Sequence, residues 1–180
     1  MEYQMRSVMF SSKRLDHGTP DDMFKQLNRE FHFTLDVCAN RSNAMVKKFL
    51  TKDDDGLRTP WTNQTCWMNP PYGREIPKWV GKAFHEAEKN NATVVCLVPA
   101  RTDTKWFWDY CIRGEIRLIK GRLRFKGTSS SAPFPSMVVI FRPKVNSGRN
   151  VKGIRTPRWN GNRSVRKRRS QPLRRKVVRV

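Results

Sequence analysis

Residues 65–72 read Thr-Cys-Trp-Met-Asn-Pro-Pro-Tyr, a short apolar run that ends at two consecutive prolines. The run has the length and composition of a buried strand, which we predict over Thr65 to Met68. Proline lacks a backbone N–H and restricts the residue before it, so neither strand nor helix continues through the next four residues. Asn69-Pro70-Pro71-Tyr72 is therefore predicted to be a rigid turn at the carboxyl end of a strand.

The segments that follow complete a strand–helix–strand unit. Apolar residues recur at helical spacing, which predicts an amphipathic helix from Pro77 to Lys89. Its solvated face is predicted to carry Lys78, Lys82, Glu86 and Lys89. Thr93 to Val98 is a continuous apolar run, as expected of a strand that is covered on both faces.

Further predicted helices and strands precede and follow this strand–helix–strand unit in the sequence. Upstream, a helix is predicted from Pro20 to about Arg29 with Thr19 as its N-cap, followed by a strand over Phe31 to Val37. The other predicted elements are a strand over Val46 to Thr51 closed by Asp53 to Gly56, a helix at about Thr104 to Cys111, and strands near Glu115 to Ile119 and Met137 to Phe141. The simplest closure of this pattern is a mostly parallel α/β sheet.

The net charge of +22 is concentrated at the carboxyl end. Residues 144–180 contain 14 Lys or Arg and no Asp or Glu, whereas residues 1–143 carry 23 basic and 15 acidic residues. Such a segment buries too little apolar surface to offset its ordering entropy, so we predict a mostly disordered arm for a polyanion, nucleic acid ahead of an anionic membrane surface. We therefore divide the chain into an N-terminal segment (residues 1–18), a folded domain (residues 19–143) and the basic arm (residues 144–180). The predicted DNA-binding residues of the arm are Arg166, Lys167, Arg168, Arg169, Arg174, Arg175 and Lys176.

The cysteines indicate no metal site. Cys38, Cys66, Cys96 and Cys111 form no CxxC pair and have no histidine at zinc-finger spacing. We therefore predict reduced thiols that behave as small buried hydrophobes. The sequence has no signal-peptide or transmembrane run, so we expect an intracellular protein without a membrane partner.

Asn69 to Tyr72 suit one particular chemistry. An amine conjugated to an aromatic base is a poor nucleophile, and two oxygens that accept its hydrogens would help it to pyramidalise and attack a sulfonium methyl group. The Asn69 side-chain carbonyl and the Pro70 backbone carbonyl could be those acceptors, with Pro71 fixing the direction of the second. Tyr72 offers a ring on which a flipped base could stack, worth about 1 to 3 kcal/mol. A purely structural turn is the alternative.

These residues resemble those of the amino-methyltransferases, whose motif is (Asp/Asn/Ser)-Pro-Pro-(Tyr/Phe). The chain is more closely similar to the small adenine-specific DNA methyltransferases typical of phages. The matching stretches are Thr19-Pro20, Leu35 to Ala39, Asp55 to Leu57 with Trp61, Met68 to Tyr72, Leu97 to Thr104, and Gly121 to Phe125. The resemblance implies a Rossmann-like class I fold that uses S-adenosylmethionine to methylate N6 of a flipped adenine in DNA, in the cytoplasm of a bacterial host.

The resemblance also implies roles for residues near the first strand. Asp36, Cys38 and Ala39 stand where the family binds the cofactor, Thr19 and Pro20 match an element near its methionine end, and Asp55 would contact its ribose or adenine. Each has a structural alternative: a helix cap for Thr19-Pro20, and turn residues for Asp36 and Asp55. The glycines of a GxG motif are missing, and 33 positions between Asp36 and Asn69 leave room only for a pared-down sheet.

Three further arginines are candidates for DNA contacts. Arg101 follows a predicted strand, where it could bind a phosphate or form a surface salt bridge. Arg122 and Arg124 alternate with apolar residues and are predicted to share one sheet face. Other functions stay open at this point: methylation of cytosine N4, an RNA base or a protein glutamine, or a non-enzymatic basic nucleic-acid-binding protein. A monomer is the default expectation.

Overall fold

The computed structural model describes residues 18–143 and the backbone of Ile154–Arg155. Within these residues one open sheet contains β1 (Leu35–Asp36), β2 (Thr65–Met68), β3 (Thr93–Pro99), β4 (Glu115–Leu118), β5 (Ser136–Phe141) and β6 (Ile154–Arg155). The helices in the same described residues are α1 (Asp21–Phe31), α2 (Ile76–Lys89) and α3 (Lys105–Asp109), and a 3-10 turn covers Cys111–Arg113.

The strand order is β1-β2-β3-β5-β4-β6. β1, β2 and β3 are parallel to one another, β5 is antiparallel to β3 and β4, and β6 is parallel to β4. Only β5 is therefore reversed among the strands described. The carboxyl ends of β1, β2 and β3 meet at one edge of the sheet, where parallel α/β folds place their ligands.

The centre of the sheet confirms the strand–helix–strand prediction. β2 has its predicted bounds, and β3 and α2 each extend one residue beyond theirs, to Pro99 and from Ile76. From Val94 onward β3 is buried throughout, as is β5. The apolar stripe of α2 packs into the core, but Glu86 is not solvated as predicted. Its buried carboxylate accepts hydrogen bonds from the Trp61 backbone N–H and the Asn90 side chain, each at 2.9 Å.

The start of the chain differs from the prediction. α1 begins at Asp21, and Pro20 occupies the cap position with an extended ψ of 127° and no side-chain cap hydrogen bond, so Thr19 is not the N-cap. The helix continues through Phe31 because the His32 N–H closes its last turn on the Asn28 carbonyl. The predicted strand over residues 31–37 is therefore reduced to β1.

The predicted strand over residues 46–51 is also reduced. Only an isolated parallel bridge joins Phe49 to Asp36, with the Leu50 N–H donating to the Asp36 carbonyl at 2.8 Å. Residues 122–125 form no strand either, so Arg122 and Arg124 do not lie on a sheet face, although the alternation of exposed and buried side chains is as predicted. The short helix predicted over residues 104–111 is α3, which ends at Asp109 and is followed by the 3-10 turn.

Several predictions concern residues outside the described part of the chain. These are the N-terminal segment up to residue 17 and the seven basic residues predicted for the arm (Arg166, Lys167, Arg168, Arg169, Arg174, Arg175 and Lys176). Sequence reasoning did not predict β6, which lies within the arm.

Three cysteines lie in the core as predicted. Cys66, Cys96 and Cys111 are buried, and Cys38 is half-buried. Burial raises the pKa of the Cys66 and Cys111 thiols to about 12. Among the described residues there is no group of His, Cys, Asp or Glu suited to a metal ion, and no helix long and apolar enough to cross a membrane.

Candidate active site

The Asn69 side chain is held by a residue that lies 50 positions earlier in the chain. Asn69 follows β2 directly, and its Nδ2 donates to the hydroxyl oxygen of Thr19 at 3.1 Å. Thr19 is only 4% exposed and Asn69 is half-buried, so this hydrogen bond is partly buried. Because the amide nitrogen faces Thr19, the amide oxygen Oδ1 points in the opposite direction.

Thr19 is itself fixed by the segment that precedes α1. Gly18 forms an antiparallel bridge with Lys126, whose N–H donates to the Gly18 carbonyl at 2.7 Å. A Cβ on Gly18 would lie 3.2 Å from the Lys126 carbonyl oxygen, so the close approach favours glycine. The Lys126 ammonium also pairs with Asp21 at 3.1 Å, in the first turn of α1.

Tyr72 closes the motif against β3. Its hydroxyl donates to the Leu97 carbonyl at 3.4 Å, and its ring meets Phe125 edge-on at 5.7 Å and Phe134 at 5.5 Å between centroids. Tyr72 is 7% exposed, and burial raises the pKa of its hydroxyl far above the ordinary value. The proposed stacking of a base on this ring therefore requires a neighbour to move, and the half-buried Phe134 is the more exposed of the two aromatic neighbours.

Asp36 ends β1 and holds the loop that follows. Its carboxylate accepts hydrogen bonds from the Met45 N–H at 3.0 Å and from the Cys38 N–H at 3.4 Å. Burial raises the pKa of Asp36 to about 6, and the two backbone donors oppose that rise. These contacts are those of a strand-end turn residue. They also keep Cys38 and Ala39, both partly exposed, at the carboxyl edge of the sheet.

The turn that carries Asp55 lies against the same edge. A Cβ on Gly56 would lie 2.3 Å from the Val37 carbonyl oxygen, so only glycine permits this approach to the end of β1. The Trp61 indole N–H donates to the Gly56 carbonyl at 3.1 Å. Asp55 has a left-handed φ of 45°, and its half-exposed carboxylate pairs with Arg58 at 3.4 Å. The structure thus brings the turns of Asp36 and Asp55 together.

The three candidate arginines are exposed. Arg101 lies in the loop after β3 and forms no ion pair with any residue that the structure describes. Arg124 donates from Nε to the Thr128 carbonyl at 3.2 Å. Arg122 and Arg124 flank Leu123, which is buried, and the adjoining Phe125 contacts the Tyr72 ring.

Sequence reasoning missed two features. The contact between Thr19 and Asn69 joins two motifs that were interpreted separately, and no spacing in the sequence indicates it. Trp108 is 60% exposed, and its indole N–H donates to the Thr102 carbonyl at 2.8 Å, in the loop after β3. The helix predicted at about Thr104 to Cys111 gave no sign that an aromatic ring there is exposed to solvent.

Residues 7–160 match the family model of the DNA N-6-adenine-methyltransferases (Dam). The chain belongs to this family. It is 34% identical over 141 residues to the DNA N-6-adenine-methyltransferase of Haemophilus phage HP1 (strain HP1c1), a match that covers 73% of this chain and 80% of the relative. The resemblance stated from the motifs is confirmed, and with it the expectation of a DNA adenine methyltransferase. The family match extends past residues 19–143 at both ends, and it includes β6.

Proposed function

We propose that this chain transfers a methyl group from S-adenosylmethionine to N6 of adenine in DNA, with Asn69 and Pro70 as the groups that contact the amine. The observation that carries the proposal is the position of Asn69, at the carboxyl end of β2 with its amide nitrogen bonded to the buried Thr19. That bond directs the carbonyl end of the side chain away from Thr19. Family membership supports adenine in DNA as the substrate.

The cofactor site is assigned to the end of β1. S-adenosylmethionine, when bound, supplies an electrophilic methyl group on a positively charged sulfur. The residues present suit a cationic, polar molecule: the Asp36 carboxylate lies at the strand end, and Asp55 is brought beside it by the close contact of Gly56 with Val37. Cys38 and Ala39 lie on the loop between them, and Thr19 and Pro20 flank the side toward Asn69.

The amine is activated by neutral acceptors. The Asn69 Oδ1 and the Pro70 carbonyl would accept hydrogen bonds from the two N6 hydrogens, which frees the nitrogen lone pair from the ring, and Pro71 restricts where the Pro70 carbonyl points. The nitrogen lone pair would form the bond to the methyl group as the carbon–sulfur bond breaks, leaving a neutral thioether, and N6 would then lose one proton to solvent. Positive charge develops on N6 during the transfer, and two carbonyl dipoles aimed at it stabilise that charge. Tyr72 would contact the flipped base once Phe134 has moved aside.

We also propose that the chain has the class I methyltransferase fold, on the evidence of its sheet. Three adjacent parallel strands present their carboxyl ends to one site, and β5 is reversed. The single bridge from Phe49 to Asp36 is all that extends the sheet beyond β1 in the described residues, which suits the pared-down architecture expected from the short spacing.

DNA would approach the edge that carries the site. Arg101, Arg122 and Arg124 are exposed and can bind phosphates, and the arm from residue 144 adds fourteen basic residues. Because the substrate is DNA and the relative belongs to a phage, we place the activity in the cytoplasm of a bacterial host.

Two experiments test the function. Calorimetry should detect S-adenosylmethionine binding to the purified protein. Expression in cells that lack adenine methylation, followed by single-molecule sequencing, should reveal N6-methyladenine at defined sites, and the Asn69→Ala variant is the control. Methylated cytosine, or no modified base despite a folded, cofactor-binding protein, would contradict the proposal.

A further inference from the structure

The motif of this chain begins with an asparagine, and an asparagine amide has two ends of similar shape but opposite polarity. Its oxygen can accept a hydrogen of the target amine, whereas its NH2 group can only donate and would meet those hydrogens unfavourably. A carboxylate at the same position would present an oxygen in either orientation. The proposed role of Asn69 therefore needs the amide to be held with its oxygen toward the substrate.

We propose that Thr19 is the positioning residue that fixes the Asn69 side chain, with Nδ2 donating to the Thr19 hydroxyl oxygen in the orientation that the proposed role requires. The proposal rests on the proposed function. The Thr19 hydroxyl oxygen lies 3.1 Å from Nδ2, and Thr19 is buried whereas Asn69 is half-buried. This role differs from the cofactor contact that the family resemblance implies, because Thr19 then acts on the rate of methyl transfer through Asn69.

The backbone around Thr19 supports a fixed position for its hydroxyl. Gly18 and Lys126 are paired directly before Thr19 and directly after Phe125. Phe125 contacts the Tyr72 ring. The Gly18–Lys126 pairing therefore adjoins both Thr19, which contacts Asn69, and Phe125, which contacts Tyr72. The ion pair between Lys126 and Asp21 adds a second connection across the same pairing.

The test compares three substitutions. Thr19→Val keeps the shape of the side chain but removes the acceptor, and we expect kcat to fall about 10-fold because the Asn69 amide loses this hydrogen bond and is positioned less well. The dissociation constant of S-adenosylmethionine should change by a smaller factor than kcat, and it is measured because the proposed cofactor site includes Thr19. Thr19→Ser keeps the hydroxyl and should restore most of kcat.

Thr34→Val is the control, since it removes an exposed threonine hydroxyl at the opposite end of the strands. The Thr34 hydroxyl contacts Gln64 at 3.0 Å and the Thr65 N–H at 2.9 Å, beside the amino end of β2. This variant should lose stability without losing kcat. Thermal unfolding of every variant separates a folding defect from a catalytic one.

A double-mutant cycle decides the mechanism. Single-turnover rates are measured for Thr19→Val, Asn69→Ala and the double variant, and Thr19→Val should have no further effect once Asn69 is alanine. Additive losses, a wild-type rate in Thr19→Val, a Thr19→Ser variant as slow as Thr19→Val, or a loss confined to cofactor affinity would each overturn the inference. A wild-type rate in Asn69→Ala would instead overturn the proposed function, so the two failures are distinct.

Discussion

The Asn69–Tyr72 motif and the arginines around it differ in how their side chains are fixed: those of the motif contact distant parts of the chain, whereas those of the arginines are exposed. Asn69 and Tyr72 are neutral, and their described contacts reach Thr19 and Leu97, which lie 50 and 25 positions away. Arg101 and Arg122 are exposed and lie in loops, and neither has an ion pair among the described residues.

This difference separates two properties of the enzyme. Groups held by buried contacts can be aimed at a reacting atom, so changes in the motif should alter the rate of methyl transfer. Exposed cations interact with phosphates through solvent and counterions, so changes there should alter affinity and its dependence on salt. Four substitutions or truncations test that separation.

The largest expected effect is on rate alone. Asn69→Ala removes one of two acceptors for the target amine, and we expect single-turnover methylation to slow by about 10² to 10³. Affinity for S-adenosylmethionine, measured by calorimetry, should stay within about twofold because Asn69 is proposed to contact the target amine and not the cofactor. A folded variant that methylates DNA at close to the wild-type rate would remove Asn69 from the mechanism.

The second largest expected effect is on affinity for DNA and not on the rate of methyl transfer. Residues 161–180 carry nine basic and no acidic residues, and truncation after Asn160 retains β6 and all of the family match. If about four of these charges neutralise phosphates, the truncation should flatten the log–log salt slope by about 3.6, roughly 10²-fold in affinity between 50 and 200 mM salt. Saturating turnover at low salt and the sites methylated should not change.

A full-length variant with glutamine at the nine basic positions is the control for this truncation. It should match the truncated protein if charge alone is responsible. An unchanged salt slope would assign the segment to another role, and altered site choice would mean that it contacts bases.

A smaller effect is expected at Tyr72. Tyr72→Ala removes a ring that contacts Phe125 and Phe134, and we expect kcat to fall about 10-fold, together with some loss of stability. Tyr72→Phe should stay within about threefold, because the bond from the hydroxyl to the Leu97 carbonyl is long, at 3.4 Å. Assays well below the unfolding midpoint separate the two causes. A Tyr72→Phe variant as slow as Tyr72→Ala would assign the function to the hydroxyl.

Local patterns predicted the centre of the sheet well. The run before Asn69, the helical spacing of α2 and the apolar run of β3 each depend on residues close in sequence, and their bounds agree with the structure to one residue. The prediction failed for Glu86 because helical periodicity cannot show that the Trp61 loop lies over that position and supplies a backbone donor.

The candidate site could be predicted as separate motifs but not as an arrangement. Asn69 to Tyr72 were identifiable because two prolines after a strand are chemically distinctive. Thr19-Pro20 indicated a helix cap, since a cap depends on the next few residues, whereas the hydroxyl in fact contacts Asn69 through the chain fold. The close packing of Gly56 on Val37 and the exposure of Trp108 likewise depend on distant residues.

Asp36 fits neither side of the comparison between the neutral motif and the exposed arginines, because it is a charged group that is buried. Its folded-state pKa of about 6 exceeds the ordinary 3.8, so the folded protein binds a proton more tightly than the unfolded chain. The charged form of Asp36 therefore lowers the free energy of unfolding above about pH 6. The free energy of unfolding should rise as the pH falls from 6 toward 4, because the folded protein takes up the proton first. Binding of the cationic cofactor should follow the opposite trend, because it needs the carboxylate.

We therefore expect affinity for S-adenosylmethionine to fall a few-fold between about pH 7.5 and pH 5 in the wild-type protein, as Asp36 takes up its proton. In Asp36→Asn the affinity should be lower and nearly independent of pH across that range. Asp54→Asn is the matched control: hydrogen bonds from Thr51 lower the pKa of Asp54, so its removal should leave the wild-type pH dependence intact. Calorimetry measures the affinities, and urea unfolding of the same variants measures stability, whose pH dependence in Asp36→Asn should lack the gain on acidification. If the wild-type protein and Asp36→Asn share one pH profile in both measurements, Asp36 is a turn residue that holds the loop from Cys38 to Met45 and has no electrostatic role toward the cofactor.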